Sequence, residues 1–258
     1  MLLSIIIPTL NERATLPIII RRVADALTEV AKEIVVIDDG SADGTRAWLK
    51  ENFPHGARTG SRIELDGSDN LVFGPAAPGA AQITISPLYH DRTRGKGAGV
   101  RTGLSASTGD IVVIQDADLE YDPEDWISMF DLIAVRRVAD VVFGSRFYGR
   151  PHRSLYFHHY LGNRLISLLF NALYNQTLSD IEACYKMMTR EVKESLRLTC
   201  NDFGVEIQIS AQIARARKWR IYEQAIRYYG RTYSEGKKIN WRDGLKALWY
   251  LVKYRLEP

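Results

Sequence analysis

Five short runs of mostly β-branched residues limit what this chain can become: "LSIIIP" (3–8), "EIVVID" (33–38), "QITIS" (82–86), "DIVVIQ" (110–115) and "DVVFGS" (140–145). Near-continuous Ile and Val, without alternation, is the pattern of strands covered on both faces, which occurs in parallel sheets. Helical patterns near 13–31, 43–52, 96–107 and 123–135 separate the runs. The order predicts an α/β fold, a mainly parallel central sheet flanked by helices. Such sheets bind ligands beyond the carboxyl ends of their strands.

Three of the predicted strands release polar residues at that end: "PTLNE" (8–12), "DDGSADGT" (38–45) and "DADLE" (116–120). Any one of these reads equally well as an ordinary loop, and Asp122-Pro123 is a good helix start. Three on one rim point to a site. Asp116 and Asp118 are hard oxygen ligands suited to Mg²⁺ or Mn²⁺, ions that bind through one or two carboxylates plus substrate phosphates. In extended backbone, residues 116, 118 and 120 point the same way, so Glu120 is expected to join them. "RGKGAG" (94–99) lacks the Ser or Thr that follows Lys in a phosphate-binding loop of the Walker type, and reads as a helix start beside the site.

Residues 53–81, rich in Gly, Pro and Ala, read as an inserted surface excursion. Further on, "YLGNRLISLLFNALY" (160–174) is helical with two apolar stripes: Leu161, Leu165, Leu168, Leu169 and Ala172, and then Ile166, Phe170 and Leu173. The segment 241–258 forms a separate basic amphipathic helix after the main unit of residues 1–240. Leu245, Leu248, Trp249, Val252 and Leu256 share a face there, with Arg242, Lys246, Lys253 and Arg255 on the others. That face suits either the protein core or an anionic membrane surface. A net charge of +3 is too mild to imply nucleic acid. Cys184 and Cys200 form no metal or disulfide pattern, and "MLLSIIIPTL" reads as a first strand and not as a signal peptide. No apolar run reaches the roughly 18 residues of a membrane span.

"SIIIPTLNE", "VVIDDGSADGT", "RGKGAGVRTGL", "GDIVVIQDADLEYDP" and "VVFGSRF" occur in order, and over residues 1–52 and 88–240 the chain resembles the family 2 glycosyltransferases. More narrowly, it is similar to the dolichol-phosphate mannose synthases and their polyprenyl-phosphate relatives. The resemblance implies a GT-A (nucleotide-diphospho-sugar transferase) fold. It implies that Pro8, Leu10, Glu12 and Asp39 line the nucleotide pocket, with Leu10 where many relatives have Tyr. Asp116 would contact nucleoside and metal, Asp118 would be the principal ligand, and Glu120, often Gln in relatives, would complete the shell. Arg146 would face a donor or acceptor phosphate. "YYGRTYSEGKKINWRDG" (228–244) resembles a late loop that closes over the donor, with Arg231 and Lys237 on its phosphates.

Where the mannose synthases carry an Arg/Lys-rich stretch for the acceptor phosphate, this chain has "PHRSLYFHHYLGNR", so Arg153, His158, His159 and Arg164 take that expectation. Asp180, in "LSDIEACYKMM", serves the acceptor side or the structure. The implied activity is inverting, metal-dependent transfer of a hexose from a nucleotide sugar to a polyprenyl or dolichyl phosphate, with mannose from GDP-mannose favoured. It would take place peripherally at the cytoplasmic face of a membrane. Transfer from UDP-glucose, a saccharide or other small acceptor, and a non-catalytic membrane-associated partner are the alternatives.

Overall fold

The structure is a computed structural model. It describes all residues but 76–78, 80, 150, 155, 233, 234, 236–240 and 258, and only the backbone of 241–243. Lys237 therefore lies outside the described residues. The strands are β1 (Leu2–Thr9), β2 (Ala31–Asp38), β3 (Arg58–Gly60), β4 (Arg62–Leu65), β5 (Leu71–Gly74), β6 (Ile83–Tyr89), β7 (Ile111–Ile114), β8 (Val141–Ser145), β9 (Lys186–Thr189) and β10 (Ile221–Ala225). The helices are α1 (Leu16–Asp25), α2 (Thr45–Asn52), α3 (Lys96–Ala106), α4 (Trp126–Phe130), α5 (Phe157–Tyr174), α6 (Arg190–Ser195), α7 (Val205–Ala216) and α8 (Trp241–Leu256).

Eight strands form one sheet in the order β10-β8-β9-β7-β1-β2-β6-β3. β1 pairs in parallel with both β2 and β7, β2 with β6, and β8 with β10. The Ile/Val strands are buried as their composition requires: Ile5, Ile6, Ile7, Val36, Val112 and Val113 are wholly covered. Within this sheet, β3 runs antiparallel to β6, and β9 antiparallel to β7 and β8. Because β9 lies reversed between β7 and β8, the segment entering it sits on the same rim as the carboxyl ends of its neighbours. That rim gathers the polar loops.

Helix α3 is aimed at the rim by its small residues. A Cβ on Gly103 would come within 2.2 Å of Ile6 Cγ2, and one on Gly99 within 3.1 Å of Pro8 Cβ, so the helix lies directly on β1. A Cβ on Gly97 would meet the Cys200 carbonyl oxygen at 2.4 Å. The first turn of α3, carrying Lys96, is thereby pressed between the sheet and the start of α7.

Three expectations need correction. The helix expected over 13–31 is α1 alone; its buried residues Leu16, Ile19, Ile20, Val23 and Ala24 keep helical spacing, and Leu27 (φ 50°) then turns the chain. The pattern at 123–135 is a 3₁₀ turn (Pro123–Asp125), α4 and a π-helical turn (Asp131–Val135). Residues 53–81 are not a bare excursion. β3 extends the sheet at β6, and β4 and β5 form a hairpin closed by Asp66, whose Oδ1 accepts from Ser68 N and Asn70 N. Ile63 and Leu71 of the hairpin are buried in the main core, and Trp48 Nε1 donates to the Asp69 carbonyl oxygen.

α8 packs on α5 and α7 through buried Ala247, Leu251 and Tyr254, and Tyr174 Oη donates to the Leu251 carbonyl oxygen. Of the face named from the sequence, Leu248 packs partly buried against the core, while Leu245, Trp249 (63% exposed), Val252 and Leu256 (78% exposed) are turned to solvent. On α5, Ile166, Phe170 and Tyr174 face the core, while Leu161, Leu165, Leu168 (64% exposed) and Leu169 are exposed. Leu173, expected with the Ile166 stripe, is exposed as well.

Because the hairpin shares the core, Ile63→Ala and Leu71→Ala should each lower stability by about 2–4 kcal/mol in urea unfolding. A loss below about 0.5 kcal/mol in both would mean that the hairpin does not pack on the domain.

Candidate functional site

The rim is held by cross-links between its own loops. Asn11 N donates to Ser41 Oγ, Glu12 N to Thr45 Oγ1, Arg13 N to Asp43 Oδ2, and Ala42 N to Asn11 Oδ1. Asp38 is absorbed by Arg46 Nε (2.5 Å) and Ser41 N. Pro8, near the end of β1, and Leu10, just beyond it, are half-buried. Asp39, expected as a nucleotide contact, is buried and already engaged: His90 Nδ1 lies 2.6 Å from Oδ1, and the backbone N–H groups of Arg94 and Gly95 donate to the carboxylate. His90 Nε2 continues to Thr102 Oγ1 at 2.9 Å. Asp39 thus fixes the loop that opens α3. The sequence reading passed over His90, which sits one residue beyond β6.

Lys96 was also passed over as a site residue. Its ammonium lies 2.8 and 3.0 Å from the two carboxylate oxygens of Asp116 and 3.1 Å from Glu206 Oε1. Glu206 Oε2 in turn meets the fully buried Lys186 Nζ at 2.8 Å. Burial opposes the charge of Lys96, but Asp116 and Glu206 outweigh it and hold its pKa well above the ordinary lysine value. The alternation expected for 116, 118 and 120 is not realised. The chain turns after β7, with Leu119 left-handed at φ 64°, so Glu120 leaves the line of the two aspartates.

Glu120 is a tether for the late loop. Its carboxylate accepts from Arg231 N (2.7 Å) and Tyr228 Oη (3.1 Å), and its carbonyl oxygen accepts from Tyr229 N. The Arg231 guanidinium joins two loops of the rim, donating to the Asp118 carbonyl oxygen (2.7 Å) and to Glu12 Oε2 (3.0 Å). Glu12 is buried and also accepts from Thr15 Oγ1. The Asp118 carboxyl is pushed up to about 7 by burial, then by the like charges of Asp116 and Glu120.

These residues fit a hard divalent cation shared with a diphosphate. Among the described residues no group of three or more His, Cys, Asp or Glu side chains is set to hold a metal alone, so the expected three-carboxylate shell is not what the geometry gives. Asp118, desolvated and repelled by its neighbours, is the carboxylate such a cation would relieve; phosphate oxygens and water would complete the shell.

The second cluster lies at the end of β8. Asp180, wholly buried, takes Arg146 Nε at 2.6 Å and Nη2 at 2.7 Å in a bidentate pair, and the guanidinium lies 5.1 Å from the Tyr228 ring centre. Arg153 pairs with Glu235 (2.6 Å) and donates to the Gly230 carbonyl oxygen, so it braces the late loop. The rings of His158 and His159 contact each other (centroids 4.6 Å, tilted) and that of Tyr156 at the start of α5. Arg164 and Tyr160 both contact the Phe147 ring next to Arg146. The structure thus brings Arg146 to the rim with Arg164 beside it across Phe147, while Arg153 is engaged by the late loop and the two histidines contact Tyr156 and each other.

The architecture is that of the GT-A glycosyltransferases. The structure of glucosyl-3-phosphoglycerate synthase from Mycobacterium tuberculosis with Mn²⁺, UDP and glucosyl-3-phosphoglycerate matches with a TM-score of 0.67 at 18% identity, over 99% of this chain and 80% of that one. The same enzyme with Mn²⁺ and UDP-glucose matches with a TM-score of 0.68 at 18% identity, over 99% and 79%. At such identity the likeness speaks for the fold. The Glycosyl transferase family 2 model matches residues 4–65 and 80–197, and the chain belongs to that family.

The chain is 31% identical to a polyprenol monophosphomannose synthase of Mycolicibacterium smegmatis, over 77% of this chain and 65% of the relative. It is 25% identical to an undecaprenyl-phosphate 4-deoxy-4-formamido-L-arabinose transferase of Yersinia enterocolitica, over 92% and 64%. It is 29% identical to a dolichol-phosphate mannosyltransferase of Pyrococcus furiosus, over 57% and 34%. The chain spans between about a third and two thirds of the length of these relatives.

The folded pKa of Asp118 is raised, so its neutral form favours folding: that stability is full below about pH 4 and is lost as pH rises through about 7. Asp118→Asn copies the neutral form. Without metal it should therefore be more stable than the parent protein by about 2–4 kcal/mol at pH 8 and about equal at pH 4. Urea unfolding across that range checks this; a pH-independent difference would contradict it.

Proposed function

We propose that this protein transfers a hexose, with inversion, from a nucleotide sugar to a polyprenyl phosphate, with mannose from GDP-mannose the favoured donor. The observation that carries the reading is the pairing of two charge sites on one rim. A carboxylate pair at the end of β7 suits a metal-bound diphosphate, and a locked arginine at the end of β8 suits a second phosphate. The names of the three relatives, two for mannose and all for a polyprenyl carrier, support the choice of acceptor and donor.

The chemistry follows from the residues. An oxygen of the acceptor phosphate attacks the anomeric carbon. The bond from that carbon to the terminal phosphate oxygen of the donor breaks, and the nucleoside diphosphate leaves with the electron pair. The attacking phosphate is already anionic at neutral pH, so orientation matters more than a general base. Arg146, fixed by Asp180 and Tyr228, orients it. A Mg²⁺ or Mn²⁺ ion held by Asp118, with Asp116 beside it, would supply charge to the departing diphosphate. Arg231 adds a second positive group once it exchanges Glu12 for the diphosphate.

Transfer to a lipid requires the rim to meet a bilayer. Among the described residues no helix is long and apolar enough to cross a membrane. The apolar stripes of α5 and α8 face opposite to the core residues of the same helices, and Arg164, Lys246, Lys253 and Arg255 lie beside them. Two adjacent apolar stripes with basic flanks support a face that rests on an anionic membrane. On the exposed side of α5, Tyr160 contacts the Phe147 ring next to Arg146, so a lipid held along that side would bring its phosphate to the site.

The direct test is transfer of labelled sugar from a panel of nucleotide sugars, with Mn²⁺ present, to undecaprenyl phosphate in vesicles. Label should pass into the organic phase only with metal, and Asp118→Asn should lower the rate at least about 100-fold, as loss of a main electrostatic contact does. Efficient transfer to a water-soluble acceptor, with none to the lipid, would replace this reading with the small-acceptor alternative. Release of no diphosphate from any donor would leave the non-catalytic one.

The double variant Leu165→Ser, Trp249→Ser removes only exposed groups. It should keep its Tm yet bind vesicles rich in anionic lipid about tenfold less tightly, with binding of the parent weakened by salt. Unchanged vesicle binding would remove the membrane-face reading.

A further inference from the structure

Among the charged groups on the rim, Glu182 has no role in either cluster. It lies in the segment 179–185, which leads into β9. That segment is anchored around it. Ser179 N and Asp180 N donate to Glu223, Ile181 N donates to Ser167 Oγ, and Cys184 N takes the Tyr121 hydroxyl as acceptor. Lys186 Nζ binds the carbonyl oxygens of Ile181 and Ala183. Among the described residues the Glu182 side chain itself makes no hydrogen bond or ion pair, although it is partly buried. Its carboxylate oxygens still reach water at the rim, and with no protein partner they can exchange that water for the hydroxyls of a ligand.

Its surroundings define where that ligand would be. β9 runs reversed between β7 and β8, so the segment before it lies between the Asp116–Asp118 turn and Arg146. The charges that act on Glu182 come from both sides: Arg146 and Asp180 from the acceptor end, and Lys186 and Glu206 from the chain that runs through Lys96 to Asp116. A group transferred from a diphosphate at one end to a phosphate at the other must pass between them. That group is an uncharged sugar ring bearing several hydroxyls, and a fixed carboxyl can accept hydrogen bonds from hydroxyls.

We propose that Glu182 is a specificity-determining residue that accepts hydrogen bonds from hydroxyl groups of the transferred hexose. The proposal rests on the transferase reading above. Burial, opposed in part by Arg146, pushes the Glu182 carboxyl up to about 7. Contact with sugar hydroxyls would favour the ionised form again.

The test separates the sugar from the rest of the donor. Binding of GDP and of GDP-mannose, and of UDP and UDP-glucose, is measured by calorimetry at pH 8 with Mn²⁺ for the parent protein, Glu182→Ala and Glu182→Gln. Glu182→Ala should bind the bare diphosphates within about twofold of the parent, and its preferred nucleotide sugar about tenfold less tightly, the size of a lost charge-assisted hydrogen bond. Equal weakening of diphosphate and nucleotide sugar, or no weakening of either, overturns the proposal. If Glu182→Ala does not fold, Glu182→Gln keeps the shape of the side chain. It should change the ratio of turnover between GDP-mannose and its epimer GDP-glucose by at least about fivefold while leaving inhibition by GDP unchanged; an unchanged ratio overturns the proposal. A parent protein that binds no nucleotide sugar removes the transferase reading, and this one with it. A parent that binds and transfers normally, with variants that match it, removes this one alone.

Discussion

The arrangement of the rim depends on one line of buried charges: Asp116, Lys96, Glu206 and Lys186. Each member comes from a different element, the turn after β7, the start of α3, the start of α7 and the start of β9. Alone, any of these groups would be costly to bury; in alternation they neutralise one another. The line also explains the glycines of "RGKGAG". Lys96 can reach Asp116 and Glu206 only because Gly97 lets α3 approach the Cys200 carbonyl and Gly99 and Gly103 let it lie on β1. Removing one charge would strand the next, so this corner of the site is rigid by construction.

The opposite wall is built from contacts that a ligand can exchange. Arg231 is shared between Glu12 and the Asp118 carbonyl, while its backbone hangs from Glu120. A diphosphate would offer the guanidinium a more highly charged partner than Glu12 does, so the proposed donor would be coupled to the position of the late loop through one side chain. Arg153, braced against Glu235 and Gly230, ties the same loop to the stretch that precedes α5. In the proposed transferase reading, the groups for donor and acceptor therefore meet at one short loop, beside the start of α5.

Much of this was legible in the sequence, and what was not has identifiable causes. The Ile/Val runs gave the strands because strands buried on both faces need that composition, and the Asp-rich exits then marked the rim. The same logic misplaced Glu120, since it assumed extended backbone where Leu119 turns left-handed, a conformation no residue type there announces. The partners of Asp39 were not legible: His90 and two backbone N–H groups hold its carboxylate, and only the folded loop brings them near. Lys96 and Asp116 are 20 residues apart and meet through packing, not through any spacing. The hairpin in 53–81 did carry a signal, "DGSDN" between two short strand-like runs, outweighed by the Gly, Pro and Ala around it. The apolar stripe of α8 was visible by periodicity, but which side faced the core could be seen only once Leu251 and Tyr254 were docked on α5 and α7.

In the proposed reaction, the aspartates after β7 take a divalent cation together with a nucleoside diphosphate. Titration of Mn²⁺ into the protein with and without GDP or UDP measures this directly. The arrangement predicts weak Mn²⁺ binding alone, because Asp116 is held by Lys96 and Glu120 is turned to the late loop. Binding should be at least about tenfold tighter with one of the diphosphates, and Asp118→Asn should abolish that gain. Equally tight Mn²⁺ binding in the absence of any diphosphate, or diphosphate binding indifferent to removal of the metal, would contradict it.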